Sequence, residues 1–204
     1  MADGLRRKRV PSAAQGGIIL KAAGDLFLAR GYAGVSIDAI VAAVGGSKRE
    51  IYAQFGDKES LFREVIVALC QENLRPFQAL AKADDLEFAL ASMATAFLGF
   101  LLSPRTLALH RLVIAEAPRF PEIAKDFLRQ GPLRAYGVAA DLLRTHAQAG
   151  EVRVDDPDAA ARVFLDALTG DFQLRSLAGR RVSREEIDKR VRLAVRIFAK
   201  GIAT

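Results

Sequence analysis

Apolar residues recur three and four positions apart along almost the whole chain, and a glycine or proline ends nearly every such run. That spacing lays one apolar stripe along a helix, whereas a strand needs strict alternation, and no alternating segment bounded by turn residues occurs. An all-α chain is expected. The first helix runs from about Ser12 to Arg30, with Ile19, Ala22, Ala23, Leu26 and Phe27 on one face and Gly31 as its stop. Ser36 caps a short helix through Val44, Gly45-Gly46 breaks it, and Ser47 caps another through about Gln54. A fourth helix follows Gly56-Asp57, with Leu61, Phe62, Val65, Ile66 and Leu69 as its stripe.

Beyond Pro76 the pattern continues with Leu86, Leu90, Met93, Phe97, Phe100 and Leu101 on one helix. Pro104 opens the next, the Pro118-Arg119-Phe120-Pro121 corner separates it from a third, another follows Pro132 and stops near Gly150, and two final helices span about Pro157–Ala178 and Ser183–Ala203. Ser183-Arg184-Glu185-Glu186 reads as a capping box. The architecture expected is a three-helix helix-turn-helix head, residues 1–60, and a larger helical body, residues 61–204, with about nine helices in all.

Composition narrows the function classes. Hydrophobic residues make up 51% and charged residues 26% of the 204, enough to bury a core. Residues 1–60 hold nine Lys/Arg against six Asp/Glu, so a net positive charge is concentrated in the head. Cys70, the one cysteine, excludes an intramolecular disulfide, argues for a reducing, cytoplasmic setting, and reads as a buried inert thiol among Ile66, Val67 and Leu69. No apolar run reaches the length of a membrane span, so no membrane partner is expected. The opening run Arg6-Arg7-Lys8-Arg9 is no signal-peptide core; it reads either as a solubilising tail or as an arm on DNA. His110 and His146 with one cysteine supply neither a metal cluster nor a nucleophile-base set, so no metal, no cofactor and no catalytic residue is expected, with carboxylate catalysis the enzyme reading left open.

Residues 36–55 carry the functional signal. Ile37, Ile40, Val41 and Val44 give the first short helix a buried face, and Ile51 with Phe55 does so for the second. Lys48, Arg49, Tyr52 and Gln54 are thereby left outward, at the start of a helix that can enter a major groove. Long cations there reach phosphates or guanine edges, and a phenol reaches phosphate. The partner implied is double-stranded DNA. A helical adaptor protein with the same charges facing solvent is the competing reading.

The wider run from Gly31-Tyr32 through Ser36, Gly45-Gly46-Ser47, Ile51-Tyr52, Phe55 and Lys58-Glu59-Ser60-Leu61 resembles the N-terminal signature of the TetR-family regulators. The resemblance implies contacts with DNA from Ser36, Ser47, Lys48, Arg49, Tyr52 and Gln54, and a backbone contact from Lys58 at a helix N-terminus that already favours phosphate. Three positions depart from the family pattern: Gly46 for the usual Val or Ile, Glu50 for a small residue, and Ala53 for a bulky one. Glu50 is read either as an acceptor for cytosine N4 or as a partner for a neighbouring cation. The segment Arg111–Glu122 is similar to the AefR-like C-terminal subgroup.

The same resemblance implies a ligand-responsive regulator, a repressor more commonly than an activator, binding a palindromic operator as a homodimer and responding to a small-molecule effector. For the ligand site, Phe97, Phe100, Leu101, His110, Ile114, Phe127 and Phe172 are the expected lining, with Arg111, Glu116 and Asp171 as polar anchors. For the dimer interface, the last two long stripes offer Val163, Phe164, Ala167 and Leu168 on one helix and Val191, Val195 and Phe198 on the other, while Leu193 and Ile197 broaden the second. The alternative is that these stripes are ordinary core.

Overall fold

The structure is a computed structural model of the chain that describes the backbone of residues 13–78 and 85–202, with side chains from 15 to 72 and from 85 to 202. The basic run Arg6 to Arg9 lies outside the described residues. The fold is all-α. In chain order the helices are α1 (Ala13–Arg30), α2 (Ile37–Val44), α3 (Lys48–Phe55), α4 (Lys58–Gln78), α5 (Leu86–Leu101) and α6 (Pro104–Glu116). They continue with α7 (Pro121–Gln130), α8 (Pro132–Gln148), α9 (Pro157–Thr169), α10 (Phe172–Leu177) and α11 (Arg184–Ile202). The chain divides into two compact units, Met1–Ala68 and Leu69–Thr204, so the division falls inside α4; the sequence pattern had suggested residues 60 and 61.

In the first unit α1 packs on α2 and α2 on α3. The expected stripes meet there: Ile19, Ala23 and Phe27 of α1, Ile40 of α2 and Ile51 of α3 are all buried. Phe62 of α4 lies edge-on to Phe27, with ring centroids 5.0 Å apart, and tilted against Tyr32 at the same distance. Aromatic pairs at this range add to the area they bury. The trio thus ties α1, the turn after it and α4 into one small core, which fixes where the two short helices sit.

In the second unit α8 packs on α9, α5 on α11, and α9 on both α5 and α11. Their shared core contains Leu90, Met93, Leu98, Leu143, Phe164 and Leu168. The α6, α7 and α10 helices lie to one side, with α6 against α7 and α10. Proline stands at the first turn of α6, α7, α8 and α9, where its missing N–H leaves no bond unmade. The capping box on α11 forms: Ser183 Oγ accepts from the Glu186 amide at 3.2 Å, and Glu186 accepts from the Ser183 amide at 2.8 Å.

One long helix expected over Pro157–Ala178 is instead two. The chain breaks at Gly170, whose φ is +41° and where a Cβ would lie 2.3 Å from Nη1 of Arg190. That guanidinium donates to the carbonyls of Ala167 and Leu168, at 3.2 and 3.4 Å, which the end of α9 leaves without helical partners. An arginine from α11 therefore closes over the break, while the local signal for it is Gly170 itself, a stop of the same kind as Gly31.

No single described helix is long and apolar enough to cross a membrane; α5 and α6 pass that test only as a pair bent by 61°.

Candidate nucleic-acid interface and ligand cavity

The α2–α3 pair is set by its caps. Ser36 Oγ accepts from the Ala39 amide at 3.1 Å, and Ser47 Oγ from the Glu50 amide at 3.3 Å. Glu50 completes a capping box, with Oε2 accepting from the Ser47 amide at 2.8 Å. This is neither of the two roles expected for Glu50. Its carboxylate lies over Gly46, where φ is +89° and a Cβ would come within 2.6 Å of Oε2. Two of the three departures from the family pattern are thus one feature: glycine at 46 leaves the room that a capping glutamate at 50 fills.

Arg49 and Tyr52 are exposed, as expected for groups meant to reach a partner. Lys48 is exposed too, but its ammonium lies 2.8 Å from Asp38 Oδ2 on α2. The hydrogen bond to Asp38 holds the Lys48 pKa above its ordinary value. Lys58 is half-buried; its Nζ donates to the Tyr32 carbonyl at 2.7 Å and sits 4.1 Å above the Tyr32 ring. Ser36, Asp38, Lys48, Tyr52 and Lys58 surround one open depression on this unit. The competing carboxylate of Asp38 was missed in the sequence, although its position roughly 100° round α2 from buried Ile37 and roughly 160° from buried Ile40 places it on the outer side of the helix.

Gln54 does not face outward. It is half-buried against α1, where its Nε2 would lie 2.1 Å from a Cβ at Gly16, and its Oε1 is buried without a hydrogen-bond partner. The reason is helical geometry: three residues after Ile51 and one before Phe55, Gln54 shares the flank of the buried face.

The second unit holds a cavity of about 380 Å³. Six of the ten residues expected at a ligand site line it: Phe97, Phe100, Leu101, His110, Ile114 and Phe127. Four do not, and three of these are engaged elsewhere. Arg111 donates to the carbonyls of Ser176 and Leu177 at 3.0 and 3.1 Å, holding the end of α10. Asp171 joins Arg190 and Arg175, at 2.9 and 3.1 Å, and hydrogen bonds from Arg175 and then Arg190 hold its carboxyl below the usual range. Phe172 is core, with the Arg190 guanidinium 4.2 Å from its ring centre. Glu116 is half-exposed at the end of α6 and off the cavity.

Apart from His110, the polar lining comes from residues the sequence did not single out. Tyr136 of α8 donates its hydroxyl to Asp166 of α9 at 2.6 Å, and Thr169 and Gln173 stand nearby in the chain. Burial first, then the bond to Asp166, pushes the Tyr136 phenol up to about 12. His110 Nδ1 lies 2.8 Å from the Thr106 carbonyl, and its ring stands edge-on to Phe127. Burial lowers its pKa despite that bond. Cys70 also borders the cavity, and burial raises its thiol to about 12, which makes it inert. Among the described residues no group of three His, Cys, Asp or Glu is placed to hold a metal.

Of the residues expected at a dimer interface, Phe164, Leu168, Val191 and Val195 are buried within the unit, and Phe198 packs against the same core. Their stripe faces inward because α5 and α8 cover it. Val163 and Ala167 stay exposed, and so do Leu193 and Ile197 on α11.

Comparison with known proteins agrees with both units. Residues 19–65 match bacterial regulatory proteins of the tetR family, and residues 88–201 match the AefR-like transcriptional repressor C-terminal domain. No curated protein sequence matches the chain. Among solved structures, a protein of Mesorhizobium loti MAFF303099 assigned to the TetR-family transcriptional regulators is 26% identical, with a TM-score of 0.89 over 94% of this chain and 98% of that one. The Flavonoid-responsive Regulator FrrA is 30% identical, with a TM-score of 0.78 over 94% and 98%. A TetR transcriptional regulator from Agrobacterium tumefaciens is 25% identical, with a TM-score of 0.73 over 95% and 96%. With a family match to more than half of its length and a helix-turn-helix built on the Ser36 and Ser47 caps, this chain belongs to the TetR family of transcriptional regulators, in its AefR-like branch.

Proposed function

We propose that this protein is a ligand-responsive repressor that binds a palindromic operator as a homodimer in the cytoplasm, and that it has no enzymatic activity. The observation that carries the reading is the depression ringed by Ser36, Lys48, Tyr52 and Lys58 beside an exposed Arg49 on α3. Lys48, Arg49 and Tyr52 enter the major groove, with the Ser36 and Ser47 hydroxyls at phosphates. Lys48 exchanges Asp38 for a phosphate, and Lys58 reaches the backbone from the rim.

The dimer forms through the exposed apolar residues of α9 and α11, Val163 and Ala167 with Leu193 and Ile197, rather than through the buried stripes. Self-complementary apolar faces on two helices suit a two-fold four-helix contact. Repression is supported by the match to a repressor C-terminal domain. Control by an effector is supported by the cavity and by FrrA, which is flavonoid-responsive. Effector binding favours the dimer arrangement that has the lower operator affinity.

Selection of bound duplexes from a random pool tests the whole reading. An inverted repeat should emerge, binding should weaken steeply as salt rises, and the double variant Lys48→Ala with Tyr52→Ala should lose the selected site. Recovery of no preferred sequence would remove the assignment. For the interface, Leu193→Glu with Ile197→Glu should sediment as a monomer.

A further inference from the structure

The hydrogen bonds already made around the cavity state what kind of molecule fits it. His110 faces the Thr106 carbonyl with Nδ1, so that nitrogen carries the proton and Nε2 is an unprotonated acceptor. Among the described residues Thr106 is the one hydrogen-bond partner of the His110 ring, which leaves Nε2 on the side of the imidazole away from that carbonyl. On the opposite helices Tyr136 gives its proton to Asp166 Oδ1, leaving the phenol oxygen and Oδ2 as acceptors. Thr169 gives its proton to the Leu165 carbonyl at 2.9 Å. Three of the lining groups that can donate are therefore committed to protein acceptors, and what they turn to the cavity accepts; the Thr106 hydroxyl, buried at the base of α6, is paired with Ser103 Oγ. Gln173 keeps an amide that can adjust to either role.

Charge sharpens the choice. Asp166 is the one formally charged side chain on the lining, so an anionic ligand would meet a carboxylate and no cation. A cation is disfavoured as well, because the face of the Tyr136 ring, where it would stack beside Asp166, is already taken by the Arg162 guanidinium 4.9 Å from the ring centre. The remaining surface is aromatic and aliphatic, with Phe97 and Phe100 edge to face at 5.3 Å and His110 edge-on to Phe127 at 5.1 Å. Rings set this way accept a flat ring among them.

Resting on the reading of this cavity as the effector site, we propose that it takes a neutral, hydroxylated aromatic molecule. One hydroxyl donates to Nε2 of His110 on the α6 wall, and another donates to the Tyr136–Asp166 pair on the α8–α9 wall. Burial, which lowers the His110 pKa, keeps that imidazole an acceptor.

The test is calorimetric titration of the full chain with four rigid probes that share one aromatic frame: p,p′-biphenol, its dimethyl ether, the matching biphenyl dicarboxylate and the matching bis(aminomethyl) dication. Biphenol should bind, and the ether should bind at least about tenfold more weakly, the worth of a lost hydrogen bond or more. Neither ion should bind detectably. His110→Leu and Asp166→Asn should each weaken biphenol about tenfold and leave the ether unchanged. Thermal unfolding of each variant guards against misfolding, and the wild-type series stands without them. An ether or an ion that binds as tightly as biphenol would overturn the proposed chemistry while leaving the cavity an effector site. If biphenol and ether both fail to bind, the effector-site reading falls with it.

Discussion

The two units of this protein carry their function in different ways. In the first, the groups proposed to meet DNA, Lys58 apart, lie on two eight-residue helices or are the serines that cap them. In the second, the cavity is walled by residues from α4 to α10, brought together only by packing. Tyr136 and Asp166, its polar pair, are thirty positions apart in sequence. A site made of local geometry tolerates change in the distant chain; a site made of packing does not.

Core substitutions should separate the two most strongly. Phe62→Ala removes the ring that binds α4 to Phe27 and Tyr32 in a small core, and should cost about 3–5 kcal/mol in urea unfolding. Phe127→Ala should cost clearly less, because that ring already borders open space. Equal costs would show that the cavity wall is as tightly built as the first core.

Charge is the next handle. Lys48→Ala should weaken duplex binding and lower its salt dependence by about one counterion. Asp38→Asn should do the reverse and tighten binding, since it frees Lys48 from a rival to phosphate. If Asp38→Asn weakened binding, the pair would be positioning Lys48 rather than competing for it.

Glu50 offers a smaller effect. Glu50→Gln can still accept from the Ser47 amide and should leave operator choice intact, whereas Glu50→Ala opens the cap and should cost about 1 kcal/mol of stability. Both should select the same bases in a duplex pool. A changed preference at any base would return Glu50 to the role of reader.

The smallest effect belongs to Gln54. With Oε1 buried and unpartnered, Gln54→Leu should stabilise the chain by up to about 1 kcal/mol. Duplex affinity should not move, and a loss measured by a mobility-shift titration would place the amide at DNA after all.

Much of this was legible in the chain because short-range rules decide it. Ser36, Ser47 and Ser183 cap their helices where hydroxyl residues precede apolar runs, and Phe27, Phe62 and Leu61 are buried where the stripe puts them. The same rules mislead where a residue borders a stripe. Gln54 sits at such a border and turns inward, while Val163, Leu193 and Ile197 turn outward. Periodicity reports that a helix has an apolar face and does not say which neighbour will cover it. Phe164 and Val191 look like an interface in sequence and are core in the fold.

By itself, then, the sequence determined the helices, their caps and the helix-turn-helix with its family, since each depends on residues within one or two turns of one another. The tertiary structure alone decided the Arg190 guanidinium over the Gly170 break, the engagement of Arg111 and Asp171 away from the cavity, and the Tyr136–Asp166 pair within it. Those features depend on which helix lies beside which. A guanidinium or a carboxylate finds its partner across space, and nothing in its own stretch of chain records where that partner will be.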